Sequence, residues 1–328
     1  MTIVINTNPS TYRDPNPDEL LDQPVGAGDY FGTTSSKGGQ VWHFDGSTAV
    51  RIGIPKPDDK SMVTLTPGET LRDALARVPM FVGEQFTIHK MTLPPGAYYP
   101  RIARPPDQHA LEAPGYIEGL RANSQETVSS LSQVRSLVAM LDSIFQTVHP
   151  TKANLTCFGS GIRNLIILAC TECETQWRAV LKANHYSSAS KSGRLTTDDY
   201  VKLLPAMRLD EYAVKFTHYP WLEALAPFQG WDKSRPTQSL AWYDDYNAVK
   251  HDRELAFDQA SLGNAIKSIA ATWVMIAAQF GFIGMREFGD LWSYFRLERV
   301  PRWRYSDVYT TGAYEGHKAL AGPRDFPF

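Results

Sequence analysis

The segment Ser239–Gly281 constrains the fold most, because it joins a polar, aromatic-rich stretch to a long apolar run. Apolar residues in the run recur at alternating spacings of three and four, which is the period of one helical face. These residues are Leu262, Ile266, Ile269, Trp273, Ile276 and Phe280. The pattern predicts a helix from about Asp258 or Ser261 to about Phe280, with Gly281 as its C-terminal stop.

The polar half of this segment holds the densest group of residues able to do chemistry. As a helix it carries Tyr243, Asn247 and His251 on one face, and Tyr246, Lys250 and Arg253 on an adjoining face. An imidazole transfers protons near neutral pH, an amide can orient it, and Lys and Arg cations stabilise anionic oxygens. Such groups suit chemistry on a phosphodiester. The alternative is that they only fasten the preceding loop to the core helix by capping and hydrogen bonds.

Composition limits which partners the protein is expected to bind and in which cellular compartment it is expected. Lys and Arg total 33 against 35 for Asp and Glu, so contact with nucleic acid has to come from a local basic patch. The N-terminal stretch has no basic segment followed by an apolar run, and three cysteines suit a reducing environment, so we expect a cytoplasmic protein. The weakly polar run Ser268–Met285 is diluted by Ala and Gly, so we expect a buried helix and no membrane span.

The N-terminal third lacks a sustained helical period. Residues 1–40 are rich in Pro, Asp, Asn, Gly and Ser, which is typical of an extended arm or loop. Residues 39–54 predict a hairpin that turns at Asp45-Gly46, and Thr66 with Pro67 predicts the start of a short helix to about Val78. Residues 84–93 predict a further strand, and the proline-rich residues 94–114 predict a linker. We interpret residues 1–115 as an irregular α+β region or N-terminal extension.

From about residue 124 the periodicity becomes helical. One apolar stripe runs from Leu131 to Val148, and a second helix is predicted from Ser160 or Gly161 to near Asn184. Residues 196–199 cap a short predicted helix that Pro205 ends. These helices have to bury their stripes against one another, so we expect a mainly α protein with an antiparallel bundle over residues 116–285. The tail, residues 286–328, mixes Arg with Trp, Tyr and Phe, and we expect it to pack on the bundle; single-stranded nucleic-acid binding is the alternative.

Two stretches of the C-terminal half resemble a known family. The helix GIRNLIILACTECETQW, followed after an insertion by WYDDYNAVKHDR and a long apolar helix, resembles the HEPN superfamily. Within that superfamily the chain looks more like the uncharacterised bacterial proteins with an aromatic-Y-N-x-x-K-H-x-R signature, and the resemblance covers about residues 124–281. The resemblance implies a helical bundle, often a homodimer, in proteins tied to RNA cleavage, toxin–antitoxin pairs and phage defence.

The resemblance also implies roles for individual residues. The family motif is an Arg, a polar residue and a His, which here matches Asn247 and His251, while Tyr246 stands where the motif has Arg. In a metal-independent ribonuclease His251 would be the general base or acid, Lys250 or Arg253 would stabilise the charged phosphorane, and Asn247 would hold the phosphate or the imidazole.

Two other functions remain open at the same residues. As an RNA or nucleotide binder, the chain would stack a base on Trp242, Tyr243 or Tyr246. If the chain is a non-enzymatic interaction or scaffold protein, the same group of residues is purely structural.

We expect no cofactor and no metal, because the histidines are scattered, no phosphate-binding glycine loop is present, and Cys170 and Cys173 lie inside a predicted helix.

Overall fold

The structure is a computed structural model that describes residues 21–36, 38–54, 56–104, 125–190, 192–252, 254–285, 294–310 and 322–328. The chain divides into two compact units. The first is drawn from Met1–Tyr98, Arg104–Gly119 and Arg302–Arg324, and the second from Tyr99–Ala103, Leu120–Pro301 and Asp325–Phe328.

The first unit is built on a five-stranded antiparallel sheet with the order β4-β3-β2-β1-β5. Its strands are β1 (Tyr30–Ser35), β2 (Gly38–Phe44), β3 (Thr48–Arg51), β4 (Met62–Thr64) and β5 (Phe86–Lys90). A short helix, α1 (Leu71–Ala76), covers the sheet. Large apolar side chains fill the core of this unit, chiefly Phe31, Trp42, Leu75, Phe81 and Phe86.

Turn chemistry explains the predicted hairpin, which the pairing of β2 with β3 confirms. The Asp45 carboxylate accepts hydrogen bonds from the backbone amides of Ser47 and Thr48, at 2.8 and 2.7 Å. Gly46, at φ 105°, supplies the conformation that the turn needs. The predicted start of α1 at Thr66 is wrong by one turn, because Thr70 is the N-cap and accepts from the Asp73 amide.

The expected arm is also wrong where it overlaps β1, because residues 30–35 form a strand that lies between β2 and β5 in the sheet. Residues 1–20 lie outside the described part of the chain. Within β1, Gly32 lies against the Tyr305 ring, where a Cβ atom would be 2.2 Å from a ring carbon. Glycine is therefore required by a close approach that becomes visible only in the tertiary structure.

The second unit is mainly helical and is centred on its last helix. Its helices are α2 (Gln125–Phe145), α3 (Ser160–Ala183), α4 (Thr197–Tyr200), α5 (Leu203–Met207), α6 (Ala241–His251) and α7 (Leu262–Met285). Two strands, β6 (Ala213–Phe216) and β7 (Phe295–Arg299), pair antiparallel beside them. α7 packs against α2, α3 and α6. Its residues from Ile269 to Phe280 are buried almost without interruption, as expected of a helix that is apolar on all sides.

The two helices predicted over the regions of α2 and α3 are confirmed. The long helix predicted from about Ser261 is confirmed as well, but after a kink at Gly281 it resumes and runs to Met285. Gly281 has φ 69° and ψ 173°, which breaks the helical path of α7 at the predicted stop. The tail prediction missed β7, whose partner strand lies about eighty residues upstream.

The predicted fold class, a mainly α protein with an irregular N-terminal region, is wrong. Helix accounts for 41% of the structure and strand for 16%, and the strands are concentrated in the regular five-stranded sheet of the first unit. Sheet pairing is decided by contacts between segments far apart in the chain, such as β1 with β5, and a strand as short as Met62–Thr64 carries no local signal of its partner. Across the described residues, no helix is both long and apolar enough to cross a membrane.

Candidate functional site

The candidate site lies on α6, at the side that faces α3. Residues 241–251 form this helix, and Lys250 and His251 occupy its last turn, where the helix dipole favours positive charge. Trp242, Tyr243, Tyr246 and Val249 point inward and are all less than 4% exposed. The segment is therefore an amphipathic helix whose inner side is aromatic.

Tyr243 connects α6 to α3 through a single charged group. Its hydroxyl donates a 2.8 Å hydrogen bond to the half-buried Glu174 carboxylate, which also lies 3.8 Å from the Arg178 guanidinium. Burial raises the pKa of Tyr243, and the neighbouring Glu174 charge raises it further. The phenol therefore stays protonated and acts as a hydrogen-bond donor.

Tyr246 and Lys250 form a second pair, one turn further along α6. The Lys250 ammonium donates a 2.9 Å hydrogen bond to the Tyr246 hydroxyl and lies 5.0 Å from the centre of that ring. This hydrogen bond raises the pKa of Lys250, which therefore remains a cation at neutral pH. Lys250 itself is exposed, so its charge is presented to solvent.

The three aromatic residues proposed to stack on a base are buried. Trp242 is 2% exposed, and its indole nitrogen donates to the Pro227 carbonyl at 2.8 Å. Tyr243 is 3% exposed and Tyr246 is 1% exposed. The ring faces of all three are covered by other side chains, so stacking of a base on them does not fit this arrangement.

Asn247 and His251 lie on the same side of α6, as the spacing indicates, but they do not bond to each other. The Asn247 amide donates to the Tyr243 carbonyl at 2.9 Å, within the helix. His251 is exposed at the end of α6, and no hydrogen bond joins its ring to another described residue. The imidazole is thus open to a ligand. Arg253, the remaining predicted site residue, lies outside the described part of the chain.

Two further arginines come close to this end of α6, and sequence reasoning missed both. Arg163, in the first turn of α3, donates from Nη2 to the Val249 carbonyl at 3.3 Å, and its buried Nε has no partner among the described residues. Arg194, in the loop after α3, is exposed and close enough to Lys250 for their charges to oppose each other. No local spacing links either residue to α6, because the contact is made by packing.

The two cysteines of α3 lie in the interior of the helical unit. Cys170 and Cys173 are fully buried in α3, and burial raises the pKa of each thiol well above its usual value. A protonated buried thiol is a poor nucleophile and a poor ligand. Among the residues that the structure describes, no three His, Cys, Asp or Glu side chains are grouped as metal ligands.

Comparison with known proteins gives no relative from which a function can be carried over. No protein-family model matches the sequence, and no curated protein or solved structure matches it.

Proposed function

We propose that the protein acts on RNA phosphates at the carboxyl end of α6. One observation carries the proposal: cations from three parts of the chain meet at this end, beside an exposed imidazole. Arg163 comes from α3, Arg194 from the following loop and Lys250 from α6 itself, and His251 is the open imidazole. The net charge of the chain is only −2, so this local group is the kind of patch that phosphate binding needs.

The chemistry of the proposed site needs no metal. His251 removes a proton from a ribose 2′-hydroxyl, and the 2′-oxygen attacks the adjacent phosphorus. The bond between phosphorus and the 5′-oxygen breaks, which leaves a 2′,3′-cyclic phosphate and a 5′-hydroxyl end that takes up a proton. Lys250 and Arg163 stabilise the extra negative charge on the phosphorane. A homodimer that brings two such ends together belongs to the same proposal.

The test is incubation of the purified protein with RNA in EDTA. We expect cleavage that leaves 2′,3′-cyclic phosphate ends, and loss of cleavage in His251→Ala. His185→Ala is the matched control, because His185 is also exposed but pairs with Asp325 at 2.8 Å. Equal activity of the wild type and His251→Ala would contradict the catalytic role.

Binding is measured separately, because a site that has lost catalysis can still hold RNA. Lys250→Gln and Arg163→Gln should each weaken RNA binding across sequences and lower the slope of log affinity against log salt by about 1. Unchanged affinity and slope in both variants would contradict a phosphate-binding site at this end of α6.

A second function is favoured by a different observation, the burial of the aromatic side chains of α6. Their polar atoms form hydrogen bonds within the helical unit, as the contacts of Trp242, Tyr243 and Tyr246 show. This is expected if α6 has a purely structural role in an interaction or scaffold protein. In that case His251→Ala and Lys250→Gln leave RNA binding unchanged, while Tyr243→Phe lowers the melting temperature.

A further inference from the structure

The buried hydroxyl of Tyr246 lies between α3 and the Lys250 cation of the proposed RNA site. The Lys250 ammonium donates to this hydroxyl at 2.9 Å, and the side chain of Thr171, on α3, hydrogen-bonds to the same hydroxyl. Tyr246 is 1% exposed, and its ring centre lies 5.5 Å from that of Tyr243. Because the ring is enclosed by the interior of the unit, its hydroxyl is held at a fixed position.

Lys250 gains from a fixed hydrogen-bond partner because its own side chain is exposed. An exposed lysine loses side-chain entropy when it binds a phosphate, and it loses less if its ammonium is already held in place. An ammonium group has three N–H donors, so one hydrogen bond to Tyr246 leaves two for phosphate oxygens. The contact with Tyr246 is therefore compatible with phosphate binding by Lys250.

Two contacts between α3 and α6 lie on either side of Lys250 along the chain. Arg163, on α3, donates from Nη2 to the carbonyl of Val249, the residue that directly precedes Lys250. Thr171, two helical turns further along α3, bonds to Tyr246, one turn before Lys250 on α6. Both cations of the proposed site are thus tied to the same pair of helices, and Tyr246 is the residue that ties the Lys250 side chain.

From these contacts we propose that Tyr246 is a positioning residue of the RNA site, whose hydroxyl holds the Lys250 ammonium where it meets the same phosphate as Arg163. The inference rests on the proposed function and deepens it, since it names a residue that acts on RNA only through Lys250. Tyr246 is too deeply buried to touch the phosphate itself. A tyrosine with a purely structural role would have the same effect on RNA affinity whether or not Lys250 is present.

The test is a double-mutant cycle on the RNA affinity of the full chain. The probe is a fluorescein-labelled single-stranded RNA with 2′-O-methyl groups, which lacks the attacking hydroxyl and reports binding without cleavage. Tyr246→Phe should weaken binding about threefold or more, because Lys250 loses the hydroxyl that holds it. The slope of log affinity against log salt should stay as in the wild type, since the charge remains. In the Lys250→Gln background, Tyr246→Phe should have no further effect on affinity.

Tyr243→Phe is the matched control, because it removes a similarly buried hydroxyl from the same helix, one that donates to Glu174 and not to Lys250. Its effect on RNA affinity should be the same with and without the Lys250→Gln change. An effect of Tyr246→Phe that is equally large in both backgrounds would overturn the positioning role, as would wild-type affinity in a folded Tyr246→Phe variant. Equal affinity of the wild type and Lys250→Gln would instead overturn the phosphate site itself, and the inference with it.

Thermal melting checks that Tyr246→Phe folds, which is expected because the ring is kept. If the variant melts below the assay temperature, Lys250→Arg replaces it, at an exposed position where folding is not at risk. This variant keeps the charge but exchanges a compact ammonium for a planar guanidinium, which changes the geometry of the hydrogen bond to Tyr246. We then expect RNA affinity to fall about threefold or more. Wild-type affinity in Lys250→Arg would overturn the positioning role.

Discussion

At the scale of single residues, short charged hydrogen bonds organise the exposed turns as well as the interior. In the first unit the Glu69 carboxylate accepts from the Arg77 guanidinium at 2.9 Å and from the Thr66 backbone amide at 2.8 Å. These bonds, led by the one from Arg77, lower the pKa of Glu69 from 4.5 to about 2. The ionised form is therefore the one that the folded state favours.

The low pKa of Glu69 predicts a pH dependence. A depressed carboxyl pKa contributes stability that is present above about pH 4.5 and is lost as the pH falls toward about 2, because the unfolded state binds the proton first. Urea unfolding at pH 7, 4 and 3 should show a steeper loss for the wild type than for Glu69→Gln. Parallel curves for the two proteins would show that Glu69 carries no such linkage.

At the scale of elements, α7 shows how the backbone conformation of one residue interrupts a helix. Its apolar surface continues to Phe280, and Gly281 then adopts φ 69° and ψ 173°, a combination that is almost confined to glycine. A Cβ atom at this position would also lie 3.4 Å from the Ala103 Cβ. The break therefore depends on the absence of a side chain.

Gly281→Ala should destabilise the protein by about 1–3 kcal/mol, because the Cβ atom of alanine makes this backbone conformation strained. Gly161→Ala is the matched control: it lies in the first turn of α3 with nothing within 4 Å of its Cβ position, and should be neutral or slightly stabilising. Thermal melting of both variants measures the difference. A Gly281→Ala variant that melts with the wild type would show that the break is not required.

At the scale of the whole molecule, chain segments far apart in sequence complete the helical unit. Residues 99–103 belong to it, and Arg101 reaches into its interior. The guanidinium donates to the side-chain oxygens of Gln279 at 2.7 Å and Gln176 at 3.2 Å, and Gln176 in turn donates to Glu172. Burial raises the pKa of Glu172, and Arg101 opposes that rise. This polar network ties the segment to α3 and α7.

Arg101→Met should lower the free energy of unfolding by about 1–3 kcal/mol, because the buried Gln279 side-chain oxygen loses its donor and the partly buried Glu172 loses the Arg101 charge. Arg178→Met is the control, since the Arg178 side chain is 44% exposed and its ion pair to Glu174 at 3.8 Å should be worth less than about 1 kcal/mol. Urea unfolding compares the two. Equal effects would mean that the network does not stabilise the unit.

The sequence by itself determined the features that depend on near neighbours. The helical stripes of α2, α3 and α7, the stop at Gly281 and the hairpin at Asp45-Gly46 follow from a period or a turn that a few consecutive residues encode. The pairing of Tyr246 with Lys250 follows from the same spacing within one helix.

Only the tertiary structure decided which distant segments meet. The strand order β4-β3-β2-β1-β5, the pairing of β6 with β7, and the arrival of Arg163 at the last turn of α6 all depend on contacts between residues far apart in the chain. The same holds for the burial of Trp242, since periodicity shows which residues share a face of a helix but not what that face meets. Local patterns encode conformation, whereas long-range packing decides which of the encoded surfaces stay open to a ligand.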